Sequence, residues 1–254
     1  MALRTRTLVV SGGAVLAALV LSGCGTTDVE DAPIEHKSFA FDGRHLTIDS
    51  GNAEVELVPA DVTKIEVSRQ VDGWVAVGNG PEGVWKLRDD TLTLQVKCSG
   101  IVSDCEALYR VKVPRALAVD VKADNGKVTA TGFTTALDLR SDNGTVRVVD
   151  SSGPLSLTSD NGNIVAEGIS AGPVSTKSDN GSSRLTFTGV PDRVEAVSDN
   201  GSITITLPSG KERYAVSTRA RNGNVSVEVP RSDQSAHTVD VRSDNGQIKV
   251  RSAN

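Results

Sequence analysis

The sequence contains few of the signals that mark helices and none of the basic clusters that mark nucleic-acid binding. Val, Ile, Thr and Gly are frequent while helical periodicity is nearly absent, which indicates strands throughout. The formal net charge is −5, and only the first few residues form a basic region. Because nucleic-acid binding calls for clustered Lys and Arg, we predict an all-β protein that does not bind nucleic acid.

A second long apolar run is also missing, so no segment after the N-terminal region is long enough to cross a bilayer. The one such run, residues 8–21, follows two arginines and predicts a signal peptide over residues 1–23. It ends in LSGC, which resembles the lipobox of bacterial lipoproteins at all four positions. The resemblance implies cleavage before Cys24 and attachment of lipid, palmitate included, at that residue. The protein would then be anchored on the extracytoplasmic side of the bacterial cell membrane. An ordinary signal peptide followed by a chance cysteine is the alternative.

Cysteine and histidine are scarce, with three residues of each. Once Cys24 is assigned to lipid, Cys98 and Cys105 remain as a pair in a compartment where disulfides persist. Strand-like segments flank them, so we predict a disulfide that closes a hairpin and contributes roughly 2 to 3 kcal/mol by loop-closure entropy. A zinc site is the alternative, but the histidines are scattered without ligand spacing. We predict no metal and no other cofactor.

The segment before the first apolar alternation is polar and lacks periodicity. Such composition is typical of a flexible linker. We therefore predict that residues 24–38 form a tether, and that residues 39–254 form the folded domain.

The second half of the chain repeats one short phrase. SDNG occurs five times, with ADNG and ARNG as variants, and successive Asn residues are 18 to 23 residues apart. Self-similarity at about 20 to 50 residues signals stacked units that cannot bury their own apolar faces alone. We predict seven coils over residues 116–254, each with a structural Asn-Gly turn. The turn residues are Asn125, Gly126, Asn143, Gly144, Asn161, Gly162, Asn180, Gly181, Asn200, Gly201, Asn222, Gly223, Asn245 and Gly246.

Apolar residues recur at fixed positions around each of these Asn residues. Positions −6, −4, +3 and +5 are apolar in 25 of 28 cases. This alternation predicts two short strands that flank the turn and share a buried face. The same register around Asn52 predicts a divergent first coil. Residues 61–115 then form an insertion that contains the disulfide hairpin and a second hairpin over residues 75–87.

Two all-β architectures fit this alternation. In an antiparallel meander Asn-Gly forms hairpin turns, whereas in a β-solenoid it bends the chain from one sheet to the next. Each column keeps its chemistry from repeat to repeat, as expected when equivalent residues lie about 4.8 Å apart. A propeller blade would need about twice this period. We predict a single-stranded, β-helix-like β-solenoid of seven or eight coils.

The outward positions also repeat. Position −5 is largely acidic or Ser, position −3 is largely basic, and position −1 is acidic in six coils, with Arg221 as the exception. A basic column between two acidic ones offsets the repulsion within each column, so we predict a structural role for this face. Calcium held by the stacked Asp residues is the alternative, but the GGxGxDx repeat is absent.

The same sequence allows three other functional interpretations. SDN accompanies S-x-x-K and K-T-G in serine β-lactamases, and neither companion is present here. A polysaccharide-active β-helix enzyme would use distinctive residues in a few coils, whereas the charges here recur in every coil. We therefore predict no catalytic residues. Trp74 and Trp85 flank a glycine-rich loop and are candidate binding residues, although two Trp residues placed in this way more often pack across a hairpin.

The run YRVKVPRALAVDVKADNGKVTATG, followed by strands with SDNG turns, resembles the bacterial putative-adhesin family. The resemblance covers about residues 39–254 and implies a repetitive β-solenoid with no catalytic residue to carry over. The insertion departs from it. We predict a non-enzymatic, lipid-anchored envelope protein whose rigid solenoid binds an envelope protein or glycan in an adhesin-like manner.

Two alternatives to adhesin-like binding remain. The first is a structural or stress-related envelope protein that self-associates through its C-terminal coil, whose edge would be guarded mainly by Lys249 and Arg251. The second is the polysaccharide-active enzyme.

Overall fold

The computed structural model describes residues 29–101 and 103–253, and it consists almost entirely of strands. A single 3-10 turn, Val29–Asp31, precedes them. The strands are β1 (Glu35–Phe39), β2 (His45–Gly51), β3 (Glu54–Ala60), β4 (Ile65–Val75), β5 (Gly78–Arg88), β6 (Thr91–Gly100), β7 (Ser103–Pro114), β8 (Ala118–Ala123), β9 (Val128–Thr131), β10 (Leu137–Ser141), β11 (Val146–Val149), β12 (Leu155–Ser159), β13 (Ile164–Ile169), β14 (Val174–Ser178), β15 (Ser183–Phe187), β16 (Arg193–Asn200), β17 (Ile203–Leu207), β18 (Ala215–Asn222), β19 (Val225–Glu228), β20 (Thr238–Asn245) and β21 (Ile248–Ser252).

Within the described residues these strands form two sheets that face each other. Sheet A has the order β1-β4-β7-β3-β9-β11-β13-β15-β17-β21-β19, and sheet B has the order β18-β20-β16-β14-β12-β10-β8-β2-β6-β5. Each coil contributes one strand to sheet B and the next strand to sheet A, and equivalent strands pair in parallel. Leu139, for example, lies in register between Val121 and Leu157. The predicted β-solenoid is confirmed, and the antiparallel meander is wrong.

The core lies between the two sheets and is filled by the predicted apolar columns. Leu139, Val148, Ile164 and Ile205 are fully buried, and the whole core cluster lies between Leu46 and Val250. Burying one such side chain contributes roughly 1.5 to 3 kcal/mol. The fully buried core begins at Leu46, and Phe39 and Phe41 pack against it from the N-terminal side.

The coils do not stack in chain order at the C-terminal end. The coil β20–β21 lies between β16–β17 and β18–β19, so β21 is paired on both sides. The prediction that the last coil forms the exposed edge, guarded by Lys249 and Arg251, is therefore wrong. The two longest spacings between marker Asn residues, 22 and 23, enclose this exchange. The extra residues in these two segments allow the chain to leave the position next to β16–β17 open and to fill it later with β20–β21.

The insertion also differs from the prediction. β6 and β7 run parallel to β2 and β3, and they form a further winding of the solenoid. β4 and β5 then pair with β7 and β6 in antiparallel fashion. Residues 78–88 are one continuous strand, so the hairpin predicted over residues 75–87 is wrong. The hairpin that forms is β5–β6, which turns at Asp89 with a φ of 52°.

Cys98 and Cys105 are joined by a disulfide with their Cα atoms 6.4 Å apart. They lie on β6 and β7, which belong to different sheets, so the bond links the two sheets and does not close a hairpin. The prediction of a hairpin fails for a physical reason. Two strands that face each other across a core show the same alternation of buried and exposed residues as two strands paired in a hairpin. The alternation in the sequence therefore cannot distinguish the two arrangements.

The predicted signal peptide, Cys24 and the start of the predicted tether lie outside the described residues. The rest of that tether is structured. Residues Glu35–Phe39 form β1, which pairs with β4, and Gln70 Nε2 donates to the Ala32 carbonyl at 2.8 Å. This strand is polar and lies at an edge, so it lacks the apolar alternation that marks the others. No helix in the described part of the chain is long and apolar enough to cross a membrane.

Candidate functional site

The marker Asn residues form a continuous ladder along one corner of the solenoid. Each side-chain amide donates from Nδ2 to the Oδ1 of the Asn in the neighbouring coil, at distances from 2.5 to 3.1 Å. Each bond contributes on the order of 1 kcal/mol or less at such an exposed position. The ladder runs through Asn52, Asn125, Asn143, Asn161, Asn180, Asn200, Asn245 and Asn222.

The Ser and Gly of SDNG have separate structural roles beside this ladder. Ser159 is buried, accepts from the Gly162 amide at 2.9 Å and donates to the Gly144 carbonyl of the neighbouring coil at 3.1 Å. Gly162 has no room for a Cβ, which would lie 2.6 Å from the Gly144 carbonyl carbon. Among the turn glycines of the described chain, only Gly223 has a positive φ. Positive φ, a common reason for glycine in a turn, therefore does not explain the other turn glycines, which are required by close stacking.

The charged columns lie on the outer face of sheet B. Arg140 contacts Asp142 of its own coil at 3.3 Å and Asp160 of the next coil at 2.9 Å. Arg221, which interrupts the acidic column in the sequence, contacts Asp244 at 3.1 Å. Exposed pairs of this kind contribute about 0 to 1 kcal/mol each. The charged side chains of these columns pair with one another, which fits a structural role.

A shallow groove of about 400 Å³ crosses the same sheet beside these columns. It spans β2, β8, β10, β12, β14 and β16, which is five strand spacings or roughly 24 Å. Its floor consists of small or apolar residues at position −7, and its wall consists of the residues at position −5. The floor residues are Ala118, Ala136, Pro154 and Pro173, and the wall residues are Asp120, Asp138, Ser156, Ser175 and Glu195.

Each end of the groove is bounded by a contact between a basic and an acidic side chain. His45 Nε2 lies 2.9 Å from Asp120 Oδ1 at one end, and Arg193 donates to Glu195 Oε2 at 3.3 Å at the other. Between these pairs, Asp138 has no salt-bridge partner among the described residues. Burial raises the pKa of the Asp138 carboxyl, and repulsion from Asp120 raises it further. The groove therefore combines an apolar floor with a carboxylate that has a raised pKa and a hydrogen bond with Ser156 but no salt bridge among the described residues.

Asp138→Asn is expected to raise the melting temperature at neutral pH. The folded chain holds the Asp138 proton more tightly than the unfolded chain, because its pKa is raised on folding. The carboxylate therefore lowers stability above that pKa, and this loss disappears as the pH falls through it. Melting of the chain from residue 24 onward, carrying Cys24→Ser, should show a gain at neutral pH that vanishes in acid. Asp142→Asn, which loses the contact with Arg140, should show no gain. An equal gain in both variants, or one that persists in acid, would contradict the assignment.

The floor of this groove was not identified from the sequence. A signal was present, because position −7 holds Ala or Pro in four successive coils between His45 and Arg193. Outward-facing small residues are common on solvated strands, however, so the pattern has meaning only once parallel stacking brings these residues together.

The predicted binding residues Trp74 and Trp85 do not line this groove. Trp74 lies on β4 in sheet A and is 55% exposed. Trp85 lies on β5 in sheet B, where the Arg69 guanidinium covers its ring at 4.1 Å from the centroid. The two residues belong to different sheets and no hairpin joins them. Their role in binding stays a prediction.

A second, polar cavity of about 670 Å³ lies beside the disulfide. Asn52, Asn79, Glu82, Lys97 and Asp104 line it. Within the described residues, no group of three or more His, Cys, Asp or Glu side chains is placed to hold a metal ion.

Solved structures of similar architecture include proteins described as adhesins. A putative adhesin from Bacteroides fragilis has 16% identity and a TM-score of 0.45, and the match covers 87% of this chain and 97% of that chain. A putative adhesin from Parabacteroides merdae has 13% identity and a TM-score of 0.39, with coverage of 88% and 98%. A putative cell adhesion protein from Clostridium sporogenes has 13% identity and a TM-score of 0.34, with coverage of 87% and 99%. No curated protein matches the chain.

The family itself is identified by a match over most of the chain. Residues 89–251 match the family model described as Toastrack DUF4097. This range contains β6, β7 and the seven SDNG-type coils up to Arg251, so the match includes the Asn ladder except Asn52 and the groove except His45. The chain belongs to the Toastrack DUF4097 family.

Proposed function

We propose that the protein is a non-enzymatic, lipid-anchored component of the bacterial cell envelope that binds a surface component in an adhesin-like manner. The groove on sheet B carries this proposal. It has an apolar floor, hydrogen-bonding hydroxyls and, at Asp138, a carboxylate without a salt bridge among the described residues, along roughly 24 Å. Binding sites are typically concave and mostly apolar, with a few placed polar groups.

The stacked scaffold supports this role. Each wall residue lies on a strand whose neighbours pair with it on both sides, and each floor residue lies on or directly before such a strand. The two sheets share one core. A groove held in this way needs little ordering on binding, which favours affinity. Its length suits an extended ligand such as a glycan chain or about seven residues of extended peptide.

Lipid attachment at Cys24 would place the groove close to the cell surface. Four residues lie between Cys24 and Val29, the first described residue, and the five steps from one to the other span at most about 18 Å. The β1–β4 end would then face the membrane, and the solenoid would extend away from it. Labelling with palmitate that disappears in Cys24→Ser would support the anchor, and labelling that survives this change would contradict it.

A pair of matched arginine substitutions tests the groove. Ser156→Arg places a long cationic side chain in the groove wall, whereas Thr158→Arg changes the same face of the same strand at a position where other coils already carry Lys or Arg. The probes are insoluble cell-wall glycan and solubilised envelope proteins, each incubated with the soluble chain from residue 24 carrying Cys24→Ser.

We expect retention of the unmodified chain and of Thr158→Arg on one of these probes, and a loss of about tenfold or more for Ser156→Arg. Circular dichroism should show the same fold for all three chains. Retention that is equal for both arginine variants would place binding elsewhere. No retention of the unmodified chain on either probe would contradict adhesin-like binding.

A further inference from the structure

Among the described residues, the winding formed by β18 and β19 ends the solenoid, and its two strands are paired on one side only. The exception is Tyr214, directly before β18, which pairs with residues 230–232. Val225 on β19 is 43% exposed. Its apolar counterparts at position +3 of other coils, such as Val146 and Ile203, are fully buried. Val216 and Val227 are also partly exposed. This end therefore presents apolar core positions to solvent.

The backbone of the same winding has unused hydrogen-bonding groups. Ile248 N donates to the Asn224 carbonyl, and Ala215 N donates to the His237 carbonyl, both at 2.9 Å. Since backbone groups alternate in direction along a strand, Val225 and Val227 turn theirs to the open side of β19, and Val216 does so on β18. Two unpaired edges thus frame one exposed strip of core, and such edges are templates for pairing with another strand.

The opposite end of the solenoid is protected. Its edge strand in sheet B, β5, has a register shift between Asn79 and Glu82 that includes Pro81. Trp85 on that strand is covered by Arg69 and by Lys37. Bulges, proline and charge are the usual means of blocking an edge. The β5 edge is thus protected by features that β18 and β19 lack.

The geometry of the two edges selects the partner. Each coil returns the chain to its starting side, so β18 and β19 run in opposite directions. A single extended peptide could pair with one edge only. The same end of a second copy offers two strands with the same spacing and directions. A twofold rotation about an axis parallel to the strands places β18 antiparallel to β19 of the second copy, and β19 antiparallel to its β18.

Charge favours this rotation. Arg219 lies on the outer face of β18 and Glu228 lies on the outer face of β19, and both are exposed. Pairing β18 with the partner's β19 brings these opposite charges onto one outer face. We propose that two copies of this chain associate end to end through β18 and β19, so that both sheets continue from one copy into the other.

The test is the concentration dependence of the oligomeric state. Sedimentation velocity of the chain from residue 24 with Cys24→Ser is expected to show a monomer–dimer equilibrium. Val225→Lys places a charge in the exposed strip, and Val225→Pro removes an edge N–H that makes no bond with the described residues. Each should raise the dimer dissociation constant by about tenfold or more. The matched control is Val58→Lys, since Val58 is 38% exposed on the outer face of sheet A away from this end.

Hydrogen exchange locates the interface independently of the variants. Amides in residues 215–228 should gain protection as the concentration rises, while those of β1 and β5 should not. A strict monomer at high concentration would overturn the proposal. A dimer that persists in Val225→Lys, or one that protects other strands, would overturn it as well. If Val225→Pro does not fold, Val225→Lys and the exchange data still decide.

Discussion

Replacing Gly162 with Ala is expected to lower the free energy of unfolding by about 3 kcal/mol, at the upper end of the usual cost of overpacking. The added Cβ would lie 2.6 Å from the Gly144 carbonyl carbon and 2.8 Å from Ser159 Oγ. Backbone on that side cannot move away, because the Gly144 turn is itself stacked on Gly126. For a domain of this size the melting temperature should fall by roughly 6 to 12 °C.

Gly210→Ala is the matched control for this change. Gly210 lies in a loop, and a Cβ there would meet nothing within 4 Å. Urea unfolding of both variants should show a large shift of the midpoint for Gly162→Ala and almost none for Gly210→Ala. Equal shifts would mean that loss of backbone flexibility, and not close stacking of the turns, explains why glycine is required.

Leu139→Ala should cost about 3 to 4 kcal/mol, since a cavity in a well-packed core adds to the lost transfer free energy. Leu139 is fully buried between Val121 and Leu157 of the adjacent coils. Parallel ladders hold both neighbours in place, so the site cannot collapse easily around the missing methyl groups. The measurement is the free energy of unfolding in urea.

The control for Leu139→Ala is Val58→Ala. Val58 is apolar and lies on a strand, but it is 38% exposed. Its replacement should change the free energy of unfolding by no more than about 0.5 kcal/mol. A loss at Leu139 below about 1 kcal/mol would show that the interior repacks, contrary to an interlocked column of side chains.

The solenoid could be predicted because its columns carry redundant information. Leu139, Leu157 and Val121 hold one position in three coils, and no hairpin arrangement requires that agreement. The order of coils could not be predicted in the same way. The coils of Asn222 and Asn245 both present apolar columns of similar size, so either would stack on β16–β17, and only the connecting segments decide between them.

The placement of Cys98 and Cys105 illustrates a second limit. Alternation on β6 and β7 shows which side chains point inward but not whether the strands pair or face each other. The groove illustrates a third, because Ala136 and Pro154 become neighbours only through stacking. A contact between coils can be predicted from the sequence when both residues recur in every repeat. It cannot be predicted when it is set by the path of one connecting loop.

The exchanged positions of the last two coils determine the order in which this chain can mature during synthesis. Residues 215–228 emerge from the ribosome before β20 and β21, yet their neighbours in space are these later strands. Until β20 and β21 have been synthesised, β18 and β19 therefore cannot pair with their final neighbours, although the earlier coils can already stack. The final residues of the chain close the gap, so a nascent chain stopped before Thr238 would hold β18 and β19 apart from the strands on which they belong.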